Sequence, residues 1–407
     1  MKTYKQLLYS KKCIWFALVL VLFPIFEPYA ISENIGIMIC DVIVIFLLCF
    51  FVKKRKIIIY KPLFIVLLLN LGLSFLAAIF TQSSQLEIIL VIKVFTVFLM
   101  YLFIFSCIWD NDIKEAFYRV VVIVGVISAI LAIAQFIFAN LGFTGFYTGR
   151  LPFSLGKYNA FGGLFDGNTG DVRVHSFFEE PSYLAIYQLP ITAYCISQKK
   201  YIFALITGIS CVISGSMLGV VGIFIVLFNA LILEESISGT RKLKLLFAVA
   251  FVLFSIYILY LCNTQINTLV NYYVMRYTKL GRDLTYFSES SASQRLIGNI
   301  RLFSKYGILN KFIGVGINQY PLYFGLSSDY SNDFVCAILN YGLIGLAALF
   351  CFLFELFYNI KRSSLIYLAL LILVLGVDHS WFGPYFFYLL TWCIFETKRD
   401  SMIRIRI

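Results

Sequence analysis

Twelve apolar runs leave this chain little choice of fold. They cover roughly 13–31, 35–52, 62–80, 88–108, 118–140, 177–197, 201–214, 216–233, 244–262, 333–357, 364–377 and 381–396. About 20 apolar residues make one helical crossing of a bilayer. In lipid only helices and closed barrels satisfy every backbone polar group. No run shows the strict alternation of a barrel strand, so each predicts a helix. The expected fold is an all-α polytopic membrane protein of about 12 transmembrane helices, one integral domain over 1–407. The seventh and eighth runs meet at Ser214-Gly215-Ser216 and read either as two spans or as one broken hairpin. Composition agrees: 61% of residues are hydrophobic and 13% charged, against about 25% charged in soluble domains. A soluble enzyme is excluded, and 42 Phe with 27 Tyr exclude a disordered chain.

The formal charge of +12 does not point to nucleic acid, because the basic residues sit in short clusters between the apolar runs. With the N-terminus inside, 22 of the 33 Lys and Arg fall in cytoplasmic segments, as the positive-inside rule requires. The ten external ones all lie in two longer loops, 141–176 and 263–332, and Lys93 alone lies within a span. Both termini are therefore expected in the cytoplasm. The N-terminal run lacks a small-residue cleavage site and is interrupted by Pro24, Glu27 and Pro28, so it reads as a retained span. The ten cysteines form no CxxC and lie in or near apolar runs, as packing residues do.

Loops as long as 263–332 are usually functional or disordered. Here apolar residues recur at helical spacing (Leu296, Ile300 and Phe303; Ile308 and Phe312), which predicts short helices lying over the membrane face.

Three stretches carry chemistry-bearing residues. The first opens the sixth run with Arg173, His175, Glu179, Glu180 and Pro181. Ionisable groups at membrane depth are costly and usually functional. The plain alternative is a helix start, where Pro suits the first turn and carboxylates suit the dipole. The second contains Arg295, Arg301 and the turn Gly314-Val315-Gly316, followed by Tyr320. An Arg fork suits a diphosphate, and glycines permit close backbone approach, although a single loop Arg is as well read as a solvated charge. The third is Ser331-Asn332-Asp333, ahead of Gly342-Leu343-Ile344-Gly345, where Asp333 serves equally as an ordinary helix cap. With two histidines and no Cys or HExxH cluster, no metal site or cofactor is expected. Lys93 needs a buried partner, for which Glu27, Asp41, Glu355 and Asp378 are candidates, or else an anionic headgroup.

In this order and on these loops, the three stretches resemble the O-antigen polymerase and O-antigen ligase superfamily of bacterial envelope enzymes. The resemblance rests on the late external loop, Arg295, Gly314 and Gly316, a polar pair before Gly342–Gly345, and the Phe-Glu-Glu-Pro-Ser run of Phe178–Ser182, which looks like that of the Wzy-type polymerases. Ligases of the superfamily carry His-Asn where this chain has Ser331-Asn332, so the polymerase branch fits better and the base is left open. The resemblance implies a GT-C-like helical fold in the bacterial cytoplasmic membrane. It implies transfer of a polyprenyl-diphosphate-linked glycan onto another lipid-linked repeat unit at the outer face. Expected partners are these lipid-linked oligosaccharides, membrane lipid, a chain-length regulator and a flippase, and no nucleic acid. Glu180, Glu179, His175 and Asp333 are then candidate catalytic groups. Arg173, Arg276, Arg295, Arg301 and Lys93 are candidates for the diphosphate, and Ser331, Asn332 and Tyr320 for the sugars. A ligase-type transferase and a flippase or transporter of lipid-linked oligosaccharide are the alternatives.

Overall fold

The computed structural model describes residues 4–32, 37–43, 56–81, 111–143, 172–233, 239–240, 243, 247, 298–317, 319–326, 331–378, 383–397 and 402–406. Helices dominate. They are α1 (Tyr4–Leu22), α2 (Lys61–Thr81), α3 (Asn111–Asn140), α4 (Pro181–Ser197), α5 (Tyr201–Ile213) and α6 (Met217–Phe228). After them come α7 (Ile308–Ile313), α8 (Tyr320–Tyr323), α9 (Asp333–Asn359), α10 (Leu365–Val377) and α11 (Pro384–Phe395). Four short strands form two antiparallel ribbons, β1 (Ala30–Ser32) with β2 (Ile37–Met38), and β3 (Lys56–Tyr60) with β4 (Met402–Arg406).

Among the described residues, α3 and α9 are long and apolar enough to cross a membrane, and the other apolar helices are shorter. At 1.5 Å per residue α3 is about 45 Å long. It turns Ile123, Ile127, Ile130 and Ile137 outward and buries Val121, Gly125, Ser128, Ala132 and Gln135. The runs at 201–214 and 216–233 are two helices joined at Ser214–Ser216, so that expected break is a helical hairpin packed on α4. The expected first span needs correction. Helix α1 stops at Leu22, Pro24 opens a single 3-10 turn, and the chain continues as the β1–β2 ribbon. The cause is local: proline cannot continue an α-helix hydrogen-bond ladder. The expected runs at 88–108 and 244–262, and most of 35–52, lie outside the described residues.

The bundle has two chemically distinct ends. At one, Glu396 after α11 meets Lys114 of α3 at 2.8 Å and Lys361 at 3.4 Å, and accepts a 2.6 Å hydrogen bond from the Tyr118 hydroxyl. Tyr118 stacks on Tyr194 with ring centroids 4.5 Å apart, and Lys200 lies over the Tyr194 ring. Ile360 bridges to Thr397, and β4 pairs with β3 along its full length. Segments remote in sequence but alike in basic charge are thus tied together. Glu396→Gln should leave the half-buried Lys114 without its counter-charge. Breaking such a pair costs more than an exposed one, about 1–3 kcal/mol here, and should read out as a lower midpoint of thermal aggregation in detergent.

At the opposite end, the segment 298–326 packs on the first half of α9 and on α2. Here α9 is broken: Gly342 has φ +66° and ψ −165°. The break frees the Asn340 carbonyl, which accepts a 2.8 Å bond from the Gly316 amide. A side chain at Gly314 would run into the Asn340 carbonyl, and one at Gly342 into the Phe312 carbonyl. The Ile317 amide donates to the Ser74 hydroxyl of α2 at 3.2 Å. The Gly-x-Gly turn and the first glycine of Gly-Leu-Ile-Gly are therefore two halves of one backbone contact. That accounts for both motifs structurally, and the close backbone approach expected at the turn is to the chain itself.

Candidate functional site: a sunken carboxylate–tyrosine cluster

The site is built on the loop Val172–Glu180, which is sunk between helices rather than laid over their ends. Ser176 is the anchor. Its amide donates to Gln135 Oε1 at 2.8 Å, its carbonyl accepts from Gln135 Nε2 at 3.3 Å, and its hydroxyl donates to the Ser128 carbonyl at 2.8 Å. Gln135 and Ser128 lie 5 and 12 residues before the last residue of α3, Asn140. At 1.5 Å per residue the loop therefore sits about 8–18 Å inside that helix end. Ser176 takes φ +56°, a left-handed conformation that costs about 1–2 kcal/mol in a non-glycine residue; its buried hydrogen bonds offset this. Ser128→Ala with Gln135→Leu should release the loop, and is checked by faster proteolysis between 172 and 180.

From the sunken loop α4 begins. Glu180 is its extended N-cap residue, and its carbonyl accepts from the Tyr183 and Leu184 amides at 3.1 and 3.3 Å. Pro181 occupies the first turn. The Glu180 carboxylate makes no capping bond and instead accepts from Ser182 Oγ at 3.1 Å. The plain helix-start account therefore explains the Glu180 main chain and Pro181, but not the two carboxylates.

Two further segments bring charge to the same place, and tyrosines line it. Asp378, buried, ends α10, and its carbonyl accepts from the Asp333 amide at 3.2 Å, joining the starts of α9 and the last turn of α10. Glu27 arrives from the turn after α1 and interacts electrostatically with Glu179 and Asp378. From α4 and α11, Tyr183 and Tyr385 stack at 4.4 Å with planes 17° apart, and both feel Glu27 and Glu179. One turn deeper Tyr187 and Tyr388 repeat the stack at 4.7 Å, and Tyr388 donates to the Tyr187 carbonyl at 3.0 Å.

Burial, then the like charges of Glu180 and Asp378, raise the Glu179 carboxyl to about 8. A carboxyl near neutrality can hold or release a proton at working pH, as acid–base catalysis requires. The linkage sign follows. The native state keeps a proton on Glu179 that the unfolded chain loses near 4.5, so this group favours folding below that pH. The contribution is lost as pH rises to about 8. Thermal midpoints of the wild type should fall across that window, and less so for Glu179→Gln.

The other expected site residues divide. Arg173 and His175 belong to the sunken loop, where His175 is fully buried and its carbonyl accepts from the Phe178 amide at 3.0 Å. Asp333 is buried as the first helical residue of α9, and the cap is Asn332, whose Oδ1 accepts from the Val335 amide at 2.9 Å. Ser331 Oγ accepts from Asn299 Nδ2 at 2.7 Å and from the Tyr320 hydroxyl at 2.8 Å. Ser331, Asn332 and Tyr320, expected to display themselves to sugars, are thus buried braces of the segment over α9. Arg301 is exposed on a 3-10 helix, Gly298–Lys305, on that segment. Lys93, Arg276 and Arg295 lie outside the described residues. Among the described residues, no group of three or more His, Cys, Asp or Glu is placed to hold a metal ion.

Sequence reasoning had named Glu27 and Asp378 only as partners for Lys93, and had not singled out Tyr183 or Tyr385. The available signal was that Glu27 and Asp378 both interrupt apolar runs on the same expected side of the membrane as Glu179. No protein-family model matches the chain, and no curated protein matches it.

Proposed function

We propose that the chain is a polysaccharide polymerase of the bacterial cytoplasmic membrane. In this reading the basic end faces the cytoplasm with both termini, and the carboxylate cluster opens outward. A polyprenyl-diphosphate-linked glycan is transferred there onto the terminal sugar of a second lipid-linked repeat unit. The observation that carries the reading is the cluster itself. It contains the Phe178–Ser182 run and is sunk inside the end of α3, as suits a substrate that keeps its tail in hydrocarbon and its sugars in water. The partly exposed Tyr183 suits contact with a sugar, and Glu179 beside it suits proton transfer. Arg173, on the same loop, is the described cation best placed for the diphosphate, which a planar fork binds better than an ammonium.

Deleting the gene should abolish long surface chains while single repeat units are still exported. A second reading has its own support: α9 is broken at Gly342 and interior carboxylates gather near its start, features of ion-coupled transporters as well. A flippase deletion would stop export altogether. The orientation has a separate test. In a chain stripped of native cysteines, cysteine at Ser290 should react with an impermeant thiol reagent in intact cells, and cysteine at Ser238 should not.

A further inference from the structure

A buried acceptor and a buried donor in the cluster are left without a hydrogen-bond partner among the described residues. One is Glu27 Oε2, an acceptor, and the other is the Tyr385 hydroxyl, a donor on a side chain only 2% exposed. They lie within electrostatic reach of each other, with Glu179 and Tyr183 beside them. Burying such groups unsatisfied costs about 1–3 kcal/mol each. A ligand hydroxyl removes both costs at once, since it donates to Glu27 and accepts from Tyr385.

We infer that Glu27, Glu179 and Asp378 form one proton-accepting site, and that a substrate sugar hydroxyl bound between Glu27 and Tyr385 gives up its proton there. Glu27 is assigned as a catalytic carboxylate of the transfer. This deepens the polymerase reading and rests on it. In the step, the acceptor oxygen bonds to the donor's anomeric carbon as the bond from that carbon to the diphosphate oxygen breaks. The diphosphate leaves with the electron pair, and the acceptor's proton passes to the carboxylates and then to water. Three carboxylates in a half-buried space cannot all stay ionised, because like charges at short range force protons to be shared. The groups facing the cluster are Glu27 after α1, Glu180 and His175 on the loop, Tyr183 on α4, Asp378 at the end of α10 and Tyr385 on α11. Cys40 adjoins it from the chain after β2, beside Asp41. The same negative field disfavours an anionic group, so the site favours a neutral or amino sugar and leaves the diphosphate to the arginines.

The test needs no substrate. Dicyclohexylcarbodiimide, an apolar reagent, modifies protonated carboxyls in water-poor sites. Applied to the whole chain in detergent at neutral pH, it should label Glu27, Glu179 or Asp378, mapped by peptide mass, and the Glu179 label should fade as pH passes about 8. In Asp378→Asn, one like charge is gone, so the midpoint of Glu179 labelling should move down by about 1 pH unit. Glu27→Gln is the second variant, expected to shift Glu179 labelling the same way. Absence of label from all three carboxyls, or a midpoint unmoved in both variants, overturns the shared-proton site without touching the polymerase reading. Unaltered surface polysaccharide in the gene deletion overturns that reading and the sugar step, while label would still stand for the proton site.

Discussion

Glu179→Gln is expected to lower chain extension by about 100-fold or more, the usual scale for losing a positioned acid or base. The amide keeps the size and hydrogen bonding of the carboxyl but cannot exchange a proton. Glu180→Gln should cost less than about tenfold, because Glu180 starts α4 through its main-chain carbonyl and its side chain meets Ser182. The order reverses the ranking the sequence suggests, where Glu180 stands nearest the proline and looks the better base. Glu179 is preferred here because burial, and then the charges of Glu180 and Asp378, raise its carboxyl. Extension by the wild type should also depend on pH through the region of 8, and that dependence should vanish in Glu179→Gln. The measurement is the length distribution of products in a reconstituted assay, at matched protein amounts.

The largest stability effect is expected at the contact between the Gly314 turn and the broken α9. Gly342→Ala must hold a left-handed φ of +66° and push against the Phe312 carbonyl. Gly314→Ala meets the Asn340 carbonyl and the Tyr341 amide at φ +73°. Left-handed strain alone costs about 1–3 kcal/mol, and neither backbone neighbour can yield like a flexible side chain. Each variant should lower the thermal midpoint in detergent by roughly 5 °C or more. Gly72→Ala is the internal control. It lies within α2 with nothing inside 4 Å of an added methyl, so helix propensity alone should make it neutral or stabilising by about 1 kcal/mol.

The helical core was readable because burial in an apolar solvent leaves a strong one-dimensional signal. The starts of α2, α9 and α10 fall within a residue or so of the expected runs. The tie between Lys114, Lys361 and Glu396 joins segments that basic clustering alone had grouped. What failed did so for local reasons. The first run extends to residue 31 past the interruption at Pro24, yet α1 ends just before it, since Pro24 matters through a missing amide rather than through polarity. The motif at Ser331-Asn332 looked exposed because it is polar, yet Asn332 caps α9 and Ser331 receives two hydrogen bonds. Close backbone approach at the Gly-x-Gly turn was legible, but not what approaches: here it is the Asn340 carbonyl. The cluster was half legible. Glu179 and Glu180 stand together in the sequence, whereas Glu27, Asp378 and Tyr385 join them only through the packing of α1, α10 and α11.

We propose that this chain joins lipid-linked repeat units at its sunken acidic end. The direct measurement uses the purified wild-type chain in liposomes, given lipid-linked repeat units extracted from a strain lacking the gene. A ladder of products longer than one unit, absent with Glu179→Gln, is the predicted result. Repeat units that move across the bilayer, or stay where they are, without any increase in length would contradict it.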